Sequence, residues 1–327
     1  EYKRLTPVYD WMKIPGATIV QLDKMPGENE IQKWGLTDYV GAVTDGTYGA
    51  VGFDFKSPHT GLAAKKVWFF FDKTYVCLGT NISSRMKNQV LTTVNQCLLD
   101  GEVTVSDADG IHPQEQGSRM KKEVRWVVHD KVGYYFLNKE NVILSNQRTE
   151  GSWKIANRQT TTPTDIIQQD VFTLSVDHGS YPNNEGYAYM VVPSADPLSI
   201  EKQVEEEGVV VLANCPDVQA VRHDGLNMAY AVFYKGGTLR IHDKIVVEMD
   251  APGMLMVKYN DAGEILTLGV SDPTRFMKKL HLSVNQRIVG TAQENIQTEW
   301  DGKQALTRIS VDLPQNEYAG KSVIYNK

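Results

Sequence analysis

Apolar residues gather in runs along this chain, and five of them are rich in Val, Ile, Phe, Tyr and Trp: 67–72, 75–82, 124–137, 171–176 and 187–192. β-branched and aromatic side chains clustered in this way predict strands. Strict alternation comes late. Leu280, Leu282 and Val284 share one face, with Lys279, His281 and Ser283 on the other, and Ile309, Val311 and Leu313 repeat the pattern. That period predicts strands with one face buried. Turn residues separate the runs. Asn260-Asp261-Ala262-Gly263 predicts a hairpin tip, and so does the stretch 138–141. Asp301-Gly302 is the residue pair that a type I′ turn demands. Helical signal is scarce, and its best candidate is 196–207, where Pro197 suits a first turn, 199–207 is strongly charged and Gly208 would stop the helix. This segment predicts the boundary between two β domains, 1–200 and 201–327. Many strands, regular turns and scarce helix predict an all-β chain of stacked antiparallel sheets.

At 327 residues and 41% hydrophobic content the chain can bury cores for two domains. No window holds 18 uncharged apolar residues, so no membrane span is expected. The net charge of −6 argues against nucleic acid as the main partner, because phosphate binding needs a cationic face. A polyanionic sugar would likewise need a locally basic cleft. Cys77, Cys97 and Cys215 form no C-x-x-C pattern, so neither zinc nor a redox motif is expected. The first residue is Glu1 rather than Met, and no basic-plus-apolar leader precedes the strands. The expectation is that processing or a cloning boundary removed the true N-terminus.

Common catalytic templates are missing. No G-x-S-x-G, H-E-x-x-H or G-x-x-x-x-G-K-[ST] motif occurs. The seven histidines are scattered, and His129 and His178 fall at strand ends, where a hydrogen-bonded structural role is expected. Glu205, Glu206 and Glu207 lie in the charged segment and read as solvated.

An ordered series of segments changes this picture. Tyr9-Asp10-Trp11-Met12-Lys13-Ile14-Pro15-Gly16, Thr44-Asp45-Gly46-Thr47-Tyr48-Gly49 and Lys65-Lys66-Val67-Trp68-Phe69-Phe70 come first. Trp126-Val127-Val128-His129-Asp130, Asp177-His178-Gly179, Tyr187-Ala188-Tyr189 and Gln219-Ala220-Val221 follow. In this order they resemble the β-sheet half of chondroitin AC lyases. Those enzymes belong to polysaccharide lyase family 8, together with the hyaluronate and xanthan lyases. The resemblance implies a large antiparallel multi-sheet super-sandwich followed by a smaller β-sandwich. It implies β-elimination at a uronic acid of chondroitin sulfate or hyaluronan, in a secreted or periplasmic setting.

The resemblance also implies that most of the catalytic machinery lies on a preceding helical domain. In the family a Tyr, a His, an Asn and Arg residues do the chemistry there, and nothing in this sequence matches that cluster. The chain alone is therefore expected to be inactive, with the helical domain of the same parent as its partner. Asp10 occupies the place of a family Glu that orients a catalytic arginine across the cleft; hyaluronate lyases carry Asn there. Spacing alone leaves Asp45-Gly46-Thr47 and Asp54-Phe55 open between an ordinary turn and a calcium site. The resemblance implies a structural calcium with carboxylates from Asp45 and Asp54, and the carbonyls of Thr47 and Phe55 could complete it. Trp11, Trp34 and Trp68 are the candidate sugar-stacking rings. The alternative is a non-catalytic carbohydrate-binding or structural β module.

Overall fold

The computed structural model describes residues 2–288 and 294–327, and the chain divides into two compact units. Unit one comprises 1–34, 57–63 and 82–200. Its strands Thr18–Val20, Gln89–Leu98, Ile167–Ser180, Val132–Gly151 and Glu185–Pro193 lie side by side in that order, all antiparallel. Gly117–His129 also pairs with Val132–Gly151, and the short strands Val103–Asp107 and Gly110–Pro113 extend from it. The run read as one strand over 124–137 is thus a hairpin. His129 faces Val132, and the tip residues Asp130 and Lys131 both have left-handed backbone, at φ 46° and 60°. Two such residues in a two-residue loop match the right-handed twist of the flanking strands.

The tip expected at 138–141 is instead a bulge inside the 20-residue strand Val132–Gly151. Pairing with Gly117–His129 shifts between Tyr135 and Glu140, and again between Glu140 and Val142. The two shifts leave this strand a net two residues longer than its partner, so buried Tyr134, Phe136, Val142 and Leu144 keep one parity through the bulge and the core holds the strand on course. Glu140 sits at that bulge. Burial pushes its carboxyl up to about 7, the Ala188 amide pulls the other way, and Glu185 adds repulsion. The folded-state value lies above the unfolded one, so the folded chain binds more protons across this window. Stability is therefore expected to fall as pH rises from about 4.5 to about 7 and to level off beyond. Glu140→Gln should remove this slope and stabilise the chain at pH 8 by about 1–3 kcal/mol. Urea unfolding at pH 5 and pH 8 measures it, and equal gains at both pH values would refute the assignment.

Unit two comprises 35–56, 64–81 and 201–327. Val40–Thr44, Gly49–Lys56, Ala63–Phe70 and Tyr75–Ser83 are neighbours in chain order. A β-sandwich follows. Its six-stranded sheet runs Val209–Cys215, Val218–His223, Met228–Phe233, Gly253–Tyr259, Ile265–Ser271, Val323–Asn326. Its five-stranded sheet runs Gly237–His242, Ile245–Met249, Lys279–Val284, Leu306–Asp312, Ile296–Asp301. Leu255, Val257, Leu268 and Val270 meet Ile245, Val247, Leu280, Leu282, Ile309 and Val311 in one core. The alternation in 279–284 and 309–313 falls on this sheet as expected, with Leu280, Leu282, Val284, Ile309, Val311 and Leu313 buried.

Two contiguous domains were expected, yet 35–56 and 64–81 fall with the C-terminal unit. The reason is packing. The Tyr39 hydroxyl donates to the Phe233 carbonyl at 2.9 Å, and Phe69 and Phe71 lie 5.8 and 5.6 Å from the Tyr230 ring. The only α-helix of two full turns among the described residues is Ile200–Glu207. It starts four residues later than expected, because Asp196 takes the Leu198 amide on its side chain and the Ile200 amide on its carbonyl. Gly208, at φ 64°, ends it. The tip after Asp301 is also wider than a type I′ turn. Asp301 Oδ1 accepts the Lys303 and Gln304 amides, and the left-handed residue is Ala305 rather than Gly302. Among the described residues no helix is long and apolar enough to cross a membrane.

Candidate functional site

Asp10 lies in a turn that begins where the first short helices end. The backbone of residues 10–13 closes through the Lys13 amide to the Asp10 carbonyl at 2.9 Å. Asp10 Oδ1 accepts the Met12 amide at 3.0 Å, and Oδ2 accepts the Lys13 ammonium at 2.7 Å. The Asp10 side chain is 39% exposed and that of Lys13 30%. A pair so wetted contributes little, about 0–1 kcal/mol. Each carboxylate oxygen can accept a further donor, so this carboxylate remains able to take a guanidinium. Trp11 follows in the same turn, 38% exposed, with the Tyr9 ring edge-on at 5.0 Å.

Beneath the turn lies a residue that sequence reasoning missed. Gln96, in the strand Gln89–Leu98, accepts the Asp10 amide at 2.8 Å and donates to the carbonyls of Asp10 and Lys13 at 3.0 and 2.7 Å. The available signal was weak: Gln96 is one of several polar residues, with Thr92, Thr93 and Asn95, in a strand whose buried polar side chains must find partners.

The tryptophans divide. Trp34 is 83% exposed and lies in a segment without strands, while Trp11 is exposed beside Asp10. Trp68 is half-buried in the strand Ala63–Phe70, with the Lys66 ammonium 5.3 Å from its ring. Burial pushes the Lys66 ammonium down to about 8, partly offset by Cys77. His129 and His178 are buried and bonded: His129 Nε2 accepts the Asp100 amide at 3.1 Å, and His178 Nε2 lies 2.8 Å from the Thr92 hydroxyl. None of the three cysteines forms a disulfide.

The structure does not bring Asp45 and Asp54 together. Val40–Thr44 and Gly49–Lys56 form a hairpin in which Thr44 faces Gly49 and Val40 faces Phe53. Asp45 is therefore at the tip and Asp54 at the far end, five residues beyond Gly49, or about 17 Å of strand. A calcium ion holds its oxygens at about 2.3–2.6 Å, so two ligands sit within about 5 Å of each other. Asp45 is engaged in other ways. Its Oδ1 accepts the Thr47 and Tyr48 amides at 3.0 and 2.9 Å, and its Oδ2 pairs with the Lys258 ammonium. Burial pushes its carboxyl up, but Lys258 and those amides outweigh this and hold it below the usual carboxylate range. Asp54 lies the other way, raised by burial against a smaller lowering from Lys65. Its carbonyl already accepts the Thr37 hydroxyl at 2.5 Å. Among the described residues no group of three or more His, Cys, Asp or Glu side chains is placed to hold a metal. Asp45, Thr47, Asp54 and Phe55 do not fit a shared calcium ion.

What the geometry offers, then, is an exposed carboxylate and an exposed indole on one clamped turn. Comparison with known proteins places that turn in context. The description "Polysaccharide lyase family 8, super-sandwich domain" matches residues 1–204, and "Polysaccharide lyase family 8, C-terminal beta-sandwich domain" matches 210–281. Chondroitinase-AC of Pedobacter heparinus is 34% identical over 99% of this chain and 43% of its own length. A hyaluronate lyase of Thermasporomyces composti is 29% identical over 96% of this chain and 40% of its own. The solved structure of chondroitinase AC lyase in oligosaccharide complexes superimposes with a TM-score of 0.83 at 34% identity, covering 98% of this chain and 44% of that one. The Streptomyces coelicolor A3 chondroitin AC lyase, solved with chondroitin sulphate, gives 0.76 at 25% identity, covering 98% and 40%. The chain thus spans less than half the length of the relatives it matches. Super-sandwich and C-terminal β-sandwich in succession make this chain a member of polysaccharide lyase family 8.

Proposed function

We propose that this chain is the β-sheet portion of a lyase that cleaves chondroitin sulfate or hyaluronan by β-elimination, and that a helical domain of the same parent carries the main catalytic groups. The observation that carries this reading is the end-to-end likeness to Chondroitinase-AC, over 99% of this chain but 43% of that enzyme. More than half of the enzyme's length is left for the residues that this sequence lacks.

The reaction removes a proton from the carbon beside a uronate carboxylate, and the 4-linked sugar oxygen leaves. That carbon acid is weak. The site must neutralise the carboxylate, place a base and supply a proton to the leaving oxygen. In this reading none of those groups comes from the present chain. Its part is to hold Asp10 at the cleft, where the carboxylate orients an arginine of the helical domain by charge-assisted hydrogen bonds. Trp11 and Trp34 offer faces on which sugar rings stack. Trp68, with its ring partly covered, is the weakest of the three. Polymers of this size are met outside the cytoplasm, which favours a secreted or periplasmic enzyme.

Elimination creates a conjugated double bond that absorbs in the ultraviolet, so the test is direct. The 327-residue chain incubated with chondroitin sulfate or hyaluronan should give no rise in absorbance, and the protein that joins it to its helical domain should give a steady one. Turnover by the chain alone would show a complete active site within these residues. A flat trace from the joined protein on both polymers would remove the substrate assignment.

A further inference from the structure

We infer that Gln96 is the positioning residue of the Asp10 turn, fixing through its side-chain amide the direction in which the Asp10 carboxylate meets its partner. The inference rests on the proposed role of Asp10. Gln96 is 4% exposed, and its amide is engaged by one short stretch of backbone, with the Tyr9 hydroxyl as a further partner. Oε1 takes the Asp10 N–H, and Nε2 gives one hydrogen to the Asp10 carbonyl and one to the Lys13 carbonyl. These contacts grip both ends of the turn. The flanking residues are tied to the same strand, with the Gly16 amide on the Thr93 carbonyl at 2.7 Å and the Thr93 amide on the Ala17 carbonyl at 3.0 Å.

Few other side chains can do this. The grip needs one acceptor and two hydrogens on adjacent atoms, which only a carboxamide supplies without charge. Asparagine is a methylene too short. Glutamate has the acceptor but no donor, and when ionised it faces two carbonyl oxygens. Leucine has neither. The contacts that Asp10 makes by itself, to the Met12 amide and the Lys13 ammonium, are local and move with the turn. Gln96 ties both ends of the turn to the sheet, while Gln21, just past Thr18–Val20, adds a single bond to the Met12 carbonyl at 3.2 Å. A carboxylate that must meet a guanidinium in paired geometry tolerates little displacement, and an error of about 1 Å can cost about 100-fold in rate.

The experiment is a double-mutant cycle in the joined lyase, using Asp10→Ala, Gln96→Leu, the double variant and Gln96→Glu, each checked for folding by its melting curve. Gln96→Leu should lower kcat 10- to 100-fold with KM within threefold. In the Asp10→Ala background the same substitution should cost no further kcat, because its effect runs through that carboxylate. Gln96→Glu should be slow at pH 7.5 and recover part of its deficit at pH 5.5, where a protonated side chain regains one donor. Additive losses, a fall in KM performance alone, or folded Gln96 variants with unchanged kcat would overturn the inference while leaving Asp10 in place. A normal kcat for Asp10→Ala itself would overturn both. If Gln96→Leu does not fold, the pH profile of Gln96→Glu decides: no recovery at low pH refutes the donor role.

Discussion

Asp10→Ala in the joined lyase is expected to lower kcat by about 100-fold and leave KM within a few-fold. In the proposed role the Asp10 carboxylate orients a catalytic arginine and does not touch the polymer. Its loss is felt where charge develops in the transition state, so it should appear in kcat. Asp10→Asn separates charge from shape. The amide keeps an oxygen for the Met12 N–H, which Asp10 Oδ1 now accepts, but it cannot neutralise a guanidinium. It should behave much like alanine in rate and like aspartate in melting. Asp10→Glu keeps the carboxylate on a side chain one methylene longer, and should stay within tenfold of the parent. Stability should barely respond, since the Lys13 partner is 30% exposed and the pair contributes about 0–1 kcal/mol. A loss carried by KM with kcat unchanged would mean that Asp10 contacts the sugar, and its assignment as an orienting group would fall.

Much of the fold could be read where one face of a strand meets water. In 279–284 the alternation of Lys, His and Ser with Leu, Leu and Val maps directly onto exposed and buried positions. The reading failed where geometry depends on partners distant in sequence. Neither Asp130 nor Lys131 is glycine, so this two-residue hairpin of unit one gave no turn signal; the flanking strands impose the left-handed backbone. Conversely, 138–141 has turn-like residues, yet the core on either side of it keeps the strand continuous. The placement of 35–56 with the C-terminal unit follows from Tyr39 reaching Phe233, 194 residues away, and no local pattern encodes that. The calcium expectation failed on a distance. Residues 49–56 are an extended strand, and extension alone separates Asp45 from Asp54. The site itself was legible through resemblance only. Composition and spacing gave no reason to prefer Asp10 over any other surface acid, and what distinguishes it is the buried amide of Gln96 holding its turn.

Gly151→Ala is expected to release the N-terminal segment and, through it, to disturb the Asp10 turn. A Cβ added at Gly151 would lie 2.0 Å from the Pro7 carbonyl oxygen and 3.0 Å from the Ile155 side chain. The first contact is with backbone, so no rotamer change relieves it. Two responses are open. The end of the Val132–Gly151 strand could bend, but it is tied into its sheet with Gly151 facing Ile167. The alternative is that Thr6–Val8 lifts away, and this should be the easier of the two. The segment is held by a small cluster in which Leu5 and Val8 pack on Val171, with Tyr9, Leu98 and Ile167 beside it. Losing two such side chains from burial costs about 3–6 kcal/mol at most. The melting midpoint should therefore fall by several degrees, while amide exchange at Leu5, Thr6, Val8 and Tyr9 rises at least tenfold and the Val132–Gly151 amides stay protected. Tyr9 and Asp10 follow directly on the released turn, so the joined lyase should also lose about tenfold in kcat, reflecting the tolerance of paired charge geometry to small displacements. Unchanged exchange at Leu5, Thr6, Val8 and Tyr9 would mean that the strand end yields instead, and the link from Gly151 to the Asp10 turn would not hold.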